Sequence, residues 1–140
     1  MLNKEDIVPL LLKACPTAKD AWHAHLEDWE GEKAGDYNDI AVFAHHIIRC
    51  YKQDKTEEID NAFKSIERLI NDGTDEVRSI AVVGFLEGVQ NIASHHDFGY
   101  KVFEPYLRPT SRQGWYELIE LWKGKSSLAD VIRAQKGKSQ

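Results

Sequence analysis

At 140 residues, 42% of them hydrophobic and 29% charged, the chain is long enough to bury about two thirds of its unfolded surface in one core, so no disulfide scaffold and no cofactor is required for stability. The formal charge is -5, and over residues 1–122 the balance is 22 acidic against 13 basic side chains, or -9, which repels phosphate backbones and argues against direct nucleic-acid binding. Two cysteines without a Cys-x-x-Cys spacing, no basic and apolar leader, and no apolar run long enough to span a bilayer predict a reduced, cytoplasmic setting with no membrane partner.

In chain order, Asn3 with Asp6 marks a helix start, and Ile7, Leu10, Leu11 and Ala14 make an apolar stripe that ends before Pro16. Thr17 with Asp20 repeats the start signal, and Trp22, His25, Leu26 and Trp29 fall on one face of a second helix, anchored by its two tryptophans. A polar turn, Gly31 to Asp36, leads into a third helix capped by Asp36 or Asn38 and lined by Ile40, Phe43, Ile47, Cys50 and Tyr51. After a charged link, Ile59, Ala62, Phe63, Ile66, Leu69 and Ile70 form a clean amphipathic stripe ended by Gly73.

Thr74 caps the next helix, with Asp75 and Glu76 in its first turn where the helix dipole favours negative charge. Residues 77–93 are the longest nearly uncharged apolar run. Its three-and-four spacing of Val77, Ile80, Ala81, Phe85, Val89 and Ile92, with Val82, Val83 and Leu86 on other sides, predicts a buried central helix. Gly84 and Gly88 share a face on which another backbone can approach closely. Ser94 to Gly99 is a break, followed by a short helix from Tyr100 to Leu107 that Pro105 kinks. Thr110 with Gln113 opens a helix carrying Trp115, Leu118, Ile119 and Trp122 and closed by Gly124, and Ser127 with Asp130 opens a last one. No stretch alternates with the period of a half-buried strand. The expectation is one all-α domain over residues 1–135, a bundle or a stack of helical hairpins of six to eight helices around a buried helix at 75–93, with a polar tail at 136–140.

Three segments carry a resemblance to known proteins: Gly35-Asp36 leading into Ile40 and Phe43, Val83-Gly84-Phe85-Leu86-Glu87, and Tyr106-Leu107-Arg108-Pro109-Thr110-Ser111 followed by Trp115. Over residues 36–122 the chain resembles a family of small helical bacterial proteins that includes immunity proteins of contact-dependent growth inhibition and other polymorphic toxin systems. The resemblance implies a cytoplasmic binding protein that neutralises a cognate toxin, and it brings no catalytic residue with it.

The six histidines stand in three pairs, His23 and His25, His45 and His46, His95 and His96. Adjacent residues, and residues two apart, point to different sides of a helix, so no single pair chelates a metal through one face. Assembly across helices leaves His45 or His46, His96-Asp97 and Asp130, in the order used by helical metal-dependent phosphohydrolases. Each member also has an ordinary explanation, Asp130 as part of a capping box with Ser127. His25, between two tryptophans, reads as a half-buried histidine with a hydrogen-bond partner, His23 as exposed, and Cys15 and Cys50 as inert buried thiols. No catalytic residue, metal ligand or cofactor is therefore predicted. The strongest signal outside the core is acidic: from Asp20 to Asp39, seven acids face Lys33 alone. Glu27, Asp28, Glu30, Glu32, Asp36 and Asp39, with Tyr37 as an anchor, are the predicted contact surface for a basic, nuclease-type toxin domain; a scaffold for another protein complex is the remaining reading of the same surface.

Overall fold

The computed structural model describes the backbone of residues 1–138 and the side chains of residues 1–124. The described chain is all-α: α1 (Lys4–Ala14), a 3₁₀ turn (Pro16–Ala18), α2 (Lys19–Asp28), α3 (Asp36–Lys52), α4 (Thr56–Asp72), α5 (Asp75–Ser79), a π-helical segment (Ile80–Leu86), α6 (Glu87–Ser94), a 3₁₀ helix (Lys101–Tyr106) and α7 (Pro109–Lys138). Its single ladder contact is an isolated bridge between Leu2 and Gly73, where Leu2 N–H donates to Asp72 O at 2.8 Å and Thr74 N–H donates to Leu2 O at 3.0 Å. That bridge ties the N-terminus to the α4–α5 link. Gly73 is extended rather than left-handed, and it is glycine because the Leu69 carbonyl and Val77 fill the space a Cβ would need.

The central element is α5, the π segment and α6 in one run, with Val77, Ile80, Ala81, Phe85, Leu86, Val89 and Ala93 buried. Thr74 Oγ1 caps it by accepting from Val77 N–H at 3.2 Å. Two features depart from a helix apolar all round: Val83 is exposed, and Glu87 N–H reaches Val82 O five residues back, a π rather than an α bond. The shared glycine face meets α3 as its spacing predicts. A Cβ on Gly84 would lie 2.6 Å from Ile40 Cγ2, and one on Gly88 3.4 Å from Ala44 Cβ.

On α4 all six residues of the predicted stripe are buried. From it Phe63 reaches the middle of the core, edge-on to Phe85 at 5.5 Å and to Trp115 at 6.5 Å, and stacked with Phe103 at 6.4 Å. The helix thereby packs on α1, α3 and α7 at once.

Four local start and stop signals fail, most of them to tertiary partners. Thr17 does not cap α2: its N–H and hydroxyl turn to Glu58 on α4. Neither Asp36 nor Asn38 caps α3, which begins after Gly35; Asp36 faces Lys4 at 3.7 Å, and Asn38 donates to Ala34 O. The Thr110–Gln113 box is replaced by Pro109 at the first helical position and by Glu67 of α4, whose two oxygens accept from Thr110 N–H at 3.0 Å and Ser111 N–H at 2.7 Å. Gly124 ends nothing, since α7 runs on to Lys138. The separate helix expected from Ser127 is part of it, as are Lys136 to Lys138 of the expected tail; Ser139 and Gln140 lie outside the described residues.

Candidate partner-binding site

Helix α2 was expected to be anchored by both tryptophans, yet it buries none of its residues. Trp22 is half-buried, 6.0 Å from Phe43, while Leu26 and Trp29 are 48% and 40% exposed. The reason is length. With ten residues before the Glu30–Gly31 turn, both in left-handed conformation, α2 reaches the core only through its N-terminal half. His25 behaves as predicted: it sits between the tryptophans, 5.3 Å from Trp22 and 6.4 Å from Trp29, and its Nε2 is 2.8 Å from Asp39 Oδ1. That bond fastens α2 to α3.

Between α1, α2 and the 31–36 loop lies a cleft of about 560 Å³ whose walls include Ile7, Val8, Trp22, Leu26 and Trp29, with Glu5, Glu32, Asp36 and Asp39 around them and Lys4 and Lys33 as its cations. The predicted surface residues divide into three groups. Glu27, Asp28, Glu30 and Glu32 are exposed. Asp36 and Asp39 are partly covered and held by Lys4 and His25, so they position the cleft more than they project from it. Tyr37 is 49% exposed but belongs to another face, beside Gly84. Leu26 and Trp29 line the cleft although their spacing is that of a buried stripe, which carries no sign that the stripe stays uncovered.

The histidine and aspartate set of the phosphohydrolase reading does not assemble among the described residues. His45 is exposed, His96 stacks on Phe98 at 5.1 Å, Asp97 is exposed, and the Asp130 side chain lies outside the described residues. His46 instead turns inward to a cluster that sequence reasoning did not bring together. Its Nε2 is 3.1 Å from Glu58 Oε1, 3.2 Å from Cys50 Sγ and 3.3 Å from Thr17 Oγ1, and the Cys15 donor atom lies within 4.8 Å of those of His46 and Glu58. Burial pushes the Cys15 thiol up to about 12 and the Cys50 thiol up to about 11, so both are protonated and inert as nucleophiles, as expected of them. Burial also lowers His46, against the pull of Glu58; at Glu58 burial acts upward, but hydrogen bonds from Thr17 and His46 outweigh it and hold the carboxyl below its usual range. The His46–Glu58 contact is thus a neutral imidazole against a carboxylate.

The geometry defines a small all-α domain that presents one half-covered amphipathic helix beside an acidic cleft. By sequence, residues 8–123 match the model of a domain family of unknown function, DUF7674, and the chain belongs to that family. The match takes in α2 and the 31–36 loop, while Lys4, Glu5 and Ile7 of the α1 wall lie outside it. No curated protein and no solved structure matches the chain.

Proposed function

We propose that this protein is an immunity protein, a binding protein rather than an enzyme, that neutralises a cognate toxin domain of basic, nuclease type. The observation that carries the reading is the uncovered apolar side of α2: Leu26 and Trp29 open onto a cleft that Glu32 also lines, and Glu27, Asp28 and Glu30, beside them in the chain, are exposed. Aromatic and aliphatic anchors inside a charged rim are how protein interfaces concentrate binding energy. Acidic charge here complements the Lys and Arg side chains that a nuclease must carry to hold phosphates, and it steers the two proteins together. The resemblance of residues 36–122 to toxin-immunity proteins supports the same partner class.

The test is whether a toxin domain is encoded immediately upstream, followed by association kinetics with that domain. Reversing Glu27, Asp28, Glu30 and Glu32 to lysine is expected to slow association severalfold and flatten its salt dependence, while Trp29→Ala acts chiefly on dissociation. Unaltered association and dissociation rates in these variants would remove this surface from consideration.

A further inference from the structure

We infer that Cys15, His46 and Glu58 form a binding site for a zinc-type divalent cation. The donors come from three separate parts of the fold: Cys15 from the link after α1, His46 from α3, and Glu58 from the first turns of α4. A thiolate, an imidazole and a carboxylate are ligand types of tetrahedral zinc, and three protein ligands leave the fourth position to water. Zinc bond lengths imply donor separations of about 3.3–3.8 Å along the edges of such a tetrahedron. The three donor atoms lie within 4.8 Å of one another, with 3.1 Å between His46 Nε2 and Glu58 Oε1, so a small closure of the set seats the ion; Cys50 Sγ touches His46 Nε2 at 3.2 Å but stands outside the ligand set.

A hydrogen-bonded network alone accounts poorly for this convergence. A neutral imidazole nitrogen offers one hydrogen or one lone pair, yet three heteroatoms crowd Nε2 within 3.3 Å. A cation replaces those competing contacts with one shared centre. Its surroundings match what ligands require. Thr17 Oγ1 donates to Glu58 Oε2 at 2.6 Å and orients the carboxylate from outside. Entry is through a cleft of about 590 Å³ lined by Lys13, Thr17, Lys55 and Glu58. Binding at Nε2 leaves the ring proton on Nδ1, so the exposed Arg49 guanidinium, 3.5 Å from that atom, turns aside. The Cys15 thiol releases its proton to solvent on binding. The filled site carries one thiolate and one carboxylate against the divalent charge and is neutral. The site would staple α1, α3 and α4 together and is independent of the partner-binding reading.

The test uses the full-length, untagged chain, reduced with a phosphine and titrated with Co²⁺, followed by Zn²⁺. The expected result is one cobalt per chain with a near-ultraviolet thiolate-to-cobalt band, displaced by equimolar zinc and lost in Cys15→Ala and His46→Gln. Thr17→Ala, which touches no cation directly, should weaken binding by about 10–100-fold. A folded wild-type chain that binds no cobalt, or binds it without the thiolate band, overturns the proposal; so does a band that both ligand variants retain. Where a variant fails to fold by circular dichroism, the wild-type titration decides alone.

Discussion

The same substitution placed four residues apart on one face of the central helix should act with opposite sign. A Cβ at position 84 would sit 2.6 Å from Ile40 Cγ2 and 3.3 Å from Tyr37 Cδ1. Ile40 is fully buried and branched at Cβ, so its methyl cannot swing away without leaving its preferred rotamer. Opening more than an ångström there is an overpacking event, which typically costs about 1–3 kcal/mol, and the gain of roughly 1 kcal/mol from replacing glycine in a helix offsets only part of it. With Ile40 Cγ2 only 2.6 Å away the upper part of that cost applies, and Gly84→Ala is therefore expected to lose about 1–2 kcal/mol. At position 88 the nearest atom is Ala44 Cβ at 3.4 Å, ordinary van der Waals contact, and the helix gain stands nearly alone. Gly88→Ala should stabilise by about 0.5–1 kcal/mol. Urea denaturation at neutral pH, with unchanged slopes, measures both. A Gly84→Ala protein as stable as the parent would mean that α3 does not lie against this face.

Glu67→Ala removes the carboxylate that accepts from Thr110 and Ser111 N–H, and loss of such a cap should cost about 1–2 kcal/mol, seen as a fall of roughly 3–6 °C in melting temperature. Burial acts to raise Glu67, but bonds from Thr110, Ser111 and Asn71 prevail and lower its pKa from 4.5, so its contribution is present above that value and lost as pH falls through the lower folded one; the mutant and parent curves should converge in acid. His46 supplies an earlier loss. Burial lowers it from 6.5, so the unfolded chain takes up its proton first and stability declines once pH drops below 6.5; His46→Gln in metal-free protein should flatten that upper limb of a stability–pH curve, and an unchanged limb would refute the assignment.

Periodicity made the core legible. The α4 stripe, Phe85 and the Gly84–Gly88 face could be read from spacing because burial on a helix repeats every three or four residues, and each lies where that spacing puts it. What spacing does not encode is whether a distant group outbids a local one. Thr17 and Thr110 each head a sequence that fits a capping box, and each loses to a glutamate of α4, Glu58 or Glu67. Nine residues separate those glutamates, which puts them on opposite sides of α4, so one helix holds the starts of two others. The acidic surface was legible as composition, whereas the exposure of Leu26 and Trp29 depends on where α2 stops. The thiol cluster was not legible, because Cys15, His46 and Glu58 converge only through the packing of α1 and α4 on α3.

The π-helical stretch from Ile80 to Leu86 gives the centre of the molecule slack in chain length. Five-residue hydrogen bonding winds roughly one residue more into each turn than an α-helix does, so the buried faces of α5 and α6 remain aligned although the segment between them holds a surplus residue. In an ordinary helix such as α4, deleting one residue rotates everything beyond it by about 100° and exposes half the stripe. Deleting the exposed Val83 would instead let the segment relax to α-helical winding and leave Val89 and Ala93 facing inward. The central helix of the fold is thus also where the chain can change by a single residue without turning its core out to water.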